Sequence, residues 1–246
     1  MSPHWHNREA LMRKPLQFRL IARLTRSIYL AVLLAGWLAG FNALAEENWI
    51  LQDNVDPSVQ LWTDDSRPPF RRVRAETTVA VPILPLLSLL QDPATQSDWL
   101  PYTQRVEVLQ KPTPTQTLVR FETIARWPFA ARDAVTLFQV SQLDATHLHI
   151  DMLNQPDAVA TQSGIERIPE AEGYWLLEAL DQCRTRLRYE AGSRWGGNVP
   201  QWLVNRMNAR LAREALQNLR DWAPAHYRDY AKPDYLNDVT LHAQCN

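Results

Sequence analysis

Alternating apolar and polar positions give this chain its outline. In Phe70–Val79, Val73, Ala75, Thr77 and Val79 share one face while Arg72, Arg74 and Glu76 share the other, as in a strand with one wet side. The same period runs through Gln116–Trp127, where Val119, Phe121, Ala125 and Trp127 alternate with Arg120, Glu122 and Arg126. Further strands are predicted at Val59–Thr63, Thr103–Gln110, Ala134–Gln142, His147–Leu153, Tyr174–Leu180 and Arg184–Ala191. The segments Asp64-Asp65-Ser66-Arg67-Pro68 and Lys111-Pro112-Thr113-Pro114 supply turns. Short helices are predicted at Glu46–Gln52 and at Pro82–Leu90, where a proline is tolerated in the first turn. Long alternating runs joined by short turns argue for antiparallel pairing and against a βαβ architecture.

The period changes near the end. Between Pro200 and Trp222, Leu203, Met207, Leu211, Ala215, Leu216, Leu219 and Trp222 recur every three or four positions, with Arg206, Arg210, Arg213 and Arg220 largely between them. This predicts an amphipathic helix about 34 Å long. Asn198 and Gln201 have the spacing of a capping box, and Pro224 is placed to end the helix. A fold of the α+β class follows: an antiparallel sheet of seven or more strands curled round one long helix. Such a sheet leaves a gap under the helix, to be filled by large side chains or by a ligand.

The first 45 residues read differently: six Lys or Arg and one acid, then the uncharged apolar run Ile28–Phe41, then Ala43-Leu44-Ala45. A basic region, an apolar stretch of about 7–15 residues and an A-x-A site make a secretory signal. The run falls short of the roughly 20 residues that a membrane-spanning helix needs, which weighs against an uncleaved anchor. Three segments are therefore expected: a signal at 1–45, a folded domain at 46–223 and a tail at 224–246. Met12-Arg13-Lys14 opens a more ordinary signal and offers a second start. Beyond the signal, 20 basic and 26 acidic residues leave a net charge of −6, and no basic footprint for nucleic acid. The 201 residues that remain suit one domain.

The chain's two cysteines, Cys183 and Cys245, have two readings. In an oxidising compartment they could pair and pin the tail, worth roughly 4 kcal/mol in the chain-entropy model. Otherwise Cys183 is a buried thiol and Cys245 a free one. No Cys or His lies at zinc-ligand spacing from Cys183.

Two segments carry a family resemblance. Trp127-Pro128-Phe129-Ala130-Ala131-Arg132-Asp133-Ala134-Val135 resembles the motif of START (StAR-related lipid-transfer) domains, in which an apolar turn leads into an Arg-Asp pair and the next strand. Gly196-Gly197-Asn198-Val199-Pro200-Gln201-Trp202-Leu203-Val204-Asn205 resembles the turn that launches their C-terminal helix. The resemblance covers the mature chain except the tail and departs from the family at the loop Gln155–Ala171. It implies a helix-grip fold round an internal cavity for one lipid, with the apolar turn and the C-terminal helix as a lid. By position, Trp127 and Phe129 would lie in the turn and Leu203, Met207 and Leu211 on the helix face above the cavity.

Each candidate side chain has a plainer reading beside the functional one. Arg132 and Asp133 would hold a polar head group or order the turn as an ion pair. Arg188, with Arg184 and Arg186, would face an anionic lipid or simply water. Phe121 and Trp175 would wall the cavity or pack the core. Phe129 and Trp195, placed in turns, suit transient contact with a membrane surface. His147, His149 and Asp151 share a strand face but lack further ligands for a metal. Elbow, zincin, P-loop and dinucleotide motifs are all missing. The expectation is an exported, monomeric carrier of a lipid or other hydrophobic small molecule, periplasmic rather than fully secreted, with no cofactor. Its rivals are a helix-grip cyclase or hydrolase, with Asp133, Glu178 or His149 facing inward, and a cavity-less partner-binding protein. N-terminal sequencing of the protein recovered from the periplasm should begin at Glu46; an intact leader in that fraction would overturn the signal.

Overall fold

Strand pairing follows the alternation. The computed structural model describes residues 48–52, 57–66, 70–125 and 129–237, all within one compact unit, Glu47–Asn246. The strands are β1 (Ile50–Leu51), β2 (Val59–Asp64), β3 (Arg72–Val79), β4 (Thr103–Thr113), β5 (Gln116–Thr123), β6 (Arg132–Gln142), β7 (His147–Asn154), β8 (Glu166–Arg167), β9 (Glu170–Ala179) and β10 (Thr185–Arg194). The helices are α1 (Ile83–Gln91), α2 (Pro93–Trp99) and α3 (Gln201–His226). Across the sheet the order is β1-β2-β3-β10-β9-β7-β6-β5-β4, every neighbouring pair antiparallel, and β8 adds to β6 in parallel. This is the α+β helix-grip architecture.

One face of the sheet carries the core. Val73, Ala75, Ile150, Leu177 and Leu187 pack there with Leu216 and Leu219 of α3 and Leu86 and Leu87 of α1. Helix α3 lies on β2, β3 and β10. The uncharged helix α1 is buried nearly all round, as its sequence ILPLLSLLQ requires. Residues past Ala223 help to cover this core: Leu236 is only 3% exposed, Tyr227, Tyr230 and Tyr235 pack beside it, and the Asn237 N–H donates to Gln142 Oε1 at 2.7 Å. Cys183 is disulfide-bonded; Cys245, the chain's other cysteine, lies outside the described residues.

The opposite face is less wet than the alternation implies. Glu190 is 1% exposed, paired with Arg74 at 2.9 Å and with Arg72, and it accepts from the Tyr174 hydroxyl at 2.8 Å. The Trp49 ring lies over the Arg74 guanidinium at 4.0 Å. Aromatic cover and ion pairing thus let charged side chains be buried where the pattern alone suggests water.

Several local expectations need correcting. Ile50 and Leu51 do not form a helix; they pair with Thr63 and Trp62, because the open edge of β2 satisfies their backbone. Strand β5 stops at Thr123, short of Trp127. The capping box is absent: Pro200 occupies the N-cap, and the Gln201 amide donates to Ser193 O at 3.1 Å and Asn205 Oδ1 at 2.8 Å. Helix α3 runs through Pro224 to His226, since a proline so near the C-terminus removes only one ladder bond. Helix α2 was not foreseen, although Asp92 caps it through Ala94 N at 3.0 Å and Pro93 opens it.

Sheet packing leaves no room at Gly173, where an added Cβ would stand 2.4 Å from the Glu190 carbonyl oxygen and 2.6 Å from Met152 Cε. Gly173→Ala should therefore cost about 1–3 kcal/mol, read from the urea unfolding midpoint. An unchanged midpoint would mean that the strands spread freely there.

Candidate functional site

Small side chains keep the sheet and helix apart. Above the concave face α3 carries Ala212 and Ala215, and β10 offers Ala191 and Gly192, so a cavity of about 460 Å³ remains. Aromatic rings wall it. Trp99 of α2 meets Trp175 of β9 edge-on at 6.3 Å, Trp175 lies 4.5 Å from Tyr189 of β10, and Phe121 of β5 meets Phe138 of β6 at 5.7 Å. Met207 and Leu211 of α3 form the roof.

The rim is stitched by charge. β8 runs parallel to the start of β6, placing Glu166 beside Arg132 and Arg167 beside Asp133. Successive strand residues point to opposite faces, so two separate ion pairs result. On the cavity side, Arg132 donates to Glu166 Oε2 at 2.7 Å and to the Ala130 carbonyl at 2.9 Å. Its guanidinium also lies 5.9 Å from the Phe129 ring and 5.4 Å from the Trp195 ring, which meet edge-on at 5.4 Å. On the other side, Arg167 donates to both Asp133 oxygens at 2.7 and 2.8 Å, and Arg120 lies 3.5 Å away. The Asp133 carboxylate raises the Arg167 pKa against the opposing effect of burial. Gly197 sits at φ +62°, and a Cβ there would stand 2.9 Å from Glu166 Oε2. Glycine thus serves both the left-handed turn and the close approach of the loop.

At the opening, Tyr102 joins α2 to β4 with φ +59°. Its carbonyl accepts from Ile124 N at 3.0 Å, and its hydroxyl accepts from Arg210 of α3 at 3.3 Å. Arg210 is also bound to Glu214 at 2.6 Å.

Phe121, Phe129, Arg132, Trp175, Met207 and Leu211 all line the cavity. Trp127 lies outside the described residues. The other candidates are placed elsewhere. Asp133 turns away to Arg167, Leu203 lies in the first turn of α3 apart from the lining, and Arg188 binds Glu76 at 2.5 Å on the opposite face. Arg132 and Asp133 are not paired with each other, because adjacent strand residues diverge. His149 stacks on Tyr174 at 4.9 Å and Glu178 binds Arg186 at 2.6 Å, both away from the cavity. Sequence reasoning missed Trp99, Tyr189 and Phe138. The apolar-face register of β10 could have found Tyr189; Trp99 sits in the unforeseen helix.

No family model matches the chain. An uncharacterized protein of Pseudomonas aeruginosa is 25% identical over 187 residues, covering 74% of this chain and 89% of that one. The crystal structure of a STAR-related lipid transfer protein (fragment 25–204) from Xanthomonas axonopodis superimposes with a TM-score of 0.65 at 24% identity, covering 72% of this chain and 98% of its own. Human StAR-related lipid transfer protein 5 gives a TM-score of 0.64 at 16% identity, with 84% and 98% covered. These likenesses are likenesses of fold.

Asp133→Asn would leave the buried Arg167 charge without its counter-ion. A loss of about 3 kcal/mol in unfolding free energy is expected, with faster proteolytic cutting between residues 155 and 165. Equal cutting of wild type and variant would show that the pair does not hold the loop.

Proposed function

We propose that this protein, a START fold closed round an apolar cavity, binds one lipid or other hydrophobic small molecule and carries it unchanged through the bacterial cell envelope. The observation that carries the proposal is the aromatic-walled space of about 460 Å³ beneath α3. Small-molecule sites typically occupy about 300–1,000 Å³ with mainly hydrophobic walls and a few polar groups. Burying apolar ligand surface contributes roughly 25 cal/mol per Å² before ordering costs, so hydrocarbon alone supplies useful affinity. The lipid-transfer names of the Xanthomonas and human neighbours agree with this reading, and the signal-like leader supports an envelope location.

Loading would occur at a membrane surface. Ile124 at the opening is 44% exposed and Trp202 in the first turn of α3 is 66% exposed, while Phe129 and Trp195 form the rim between. Aromatic rings of this kind favour the water–lipid interface. Binding is favoured over chemistry because Asp133, His149 and Glu178, the acid–base candidates, are engaged with Arg167, Tyr174 and Arg186 outside the cavity.

Native mass spectrometry of the protein from its periplasm, followed by organic extraction, tests the proposal. One apolar molecule per chain is expected. A protein that arrives empty and also refuses a panel of fluorescent lipids would overturn it.

A further inference from the structure

The cavity wall holds a hydroxyl for which the protein itself supplies no partner. The half-buried Tyr189 ring lies 4.5 Å from Trp175 and faces the cavity. Burial alone pushes its pKa up to about 12, so the hydroxyl stays protonated. Tyr174, on the opposite face of neighbouring β9, shows the contrast: its hydroxyl donates to Glu190 at 2.8 Å. Beside the same row of rings, Gln96 spends its amide N–H on the Leu90 carbonyl at 2.6 Å, which leaves Oε1 as the end without a partner. Trp99, three residues on and so on the same helix face, has no acceptor for its indole N–H. Buried polar groups in native proteins are rarely left unpaired. A phenylalanine would fill the place of Tyr189 equally well, so the hydroxyl there calls for a partner from outside the chain.

Charge and size narrow that partner. The cationic side chains on the lining, among the described residues, are Arg132 and Arg210, each committed to an acid: Glu166 at 2.7 Å and Glu214 at 2.6 Å. Neither is left over for an anionic head group. The volume of about 460 Å³ falls within the range of about 300–1,000 Å³ usual for small-molecule sites and suits one short chain or a small fused-ring system.

We propose that Tyr189 is the polar anchor of the cavity, donating a hydrogen bond to an uncharged oxygen of a single-tailed or fused-ring ligand. This rests on the binding reading above and adds the ligand's chemistry and its orientation, oxygen inward.

Displacement of the neutral dye Nile red by 1-dodecanol, dodecane and dodecanoate tests it. The wild-type protein should be emptied by the alcohol at about tenfold lower concentration than by the alkane, with dodecanoate weaker than the alcohol. Tyr189→Phe should bring alcohol and alkane to parity while the alkane's own value and the unliganded thermal midpoint hold or rise, since the deleted hydroxyl has no protein partner. Equal displacement by alcohol and alkane in the wild type, which needs no variant to observe, would overturn the anchor and leave the cavity reading standing. So would an alcohol preference that survives in Tyr189→Phe, or tightest binding by dodecanoate. Failure of Nile red and all three probes to enter would overturn both readings.

Discussion

One helix holds this fold together and keeps it hollow. The C-terminal half of α3 buries Leu216, Leu219 and Ala223 against the strands β2, β3 and β10, which anchors the sheet's curvature. Its middle carries Ala212 and Ala215 over the cavity, where leucines would have closed the gap. The anchoring contacts supply the stability that tolerates an unfilled interior: each large apolar side chain fully buried contributes about 1.5–3 kcal/mol. Fold and site thus depend on where along a single helix large side chains give way to small ones.

The rim follows a different logic. Its parts come from three distant stretches of chain, the Phe129–Arg132 turn, the β8 strand and the Gly196-Gly197 turn, and no apolar core lies beneath them to gather them. Crossed ion pairs do the gathering. Two dipeptides of complementary charge order, Arg132-Asp133 and Glu166-Arg167, lie side by side in parallel, so each face of the short ladder receives one acid and one base. A one-residue slip would set like charges together, so the pairing fixes register as well as contact.

Much of this was legible in the sequence, and the failures are instructive. The period-2 alternation found the strands because each pleat has a core face, and the 3.6 period found α3 because one side of it is buried. Neither pattern could say how full the concave side is. Phe121 and Trp175 read alike as core or as cavity wall until the small residues opposite them are placed in space. In the sequence Arg188 and Asp133 have two readings each because alternation assigns a face without naming its partner across 34 or more residues of chain, as with Arg167 and Asp133. β8 was invisible: two residues in a long loop have no period, and only the charge order of Glu166-Arg167 marks them. Ile50 and Leu51 failed differently, since an edge strand takes its conformation from the neighbour it joins.

The edge-to-face meeting of Phe129 and Trp195 has a kinetic meaning separate from the cavity's affinity. If the cavity takes a ligand as proposed, affinity would be set by the walls, which lie on strands and helices, and exchange by how often this pair of rings parts. An aromatic pair of this kind is worth about 0.5–1.5 kcal/mol beyond its buried area, which corresponds to roughly a two- to tenfold range in opening rate. On that reading two turn residues would carry the exchange rate, and substitutions there could retime it without touching the walls of the cavity.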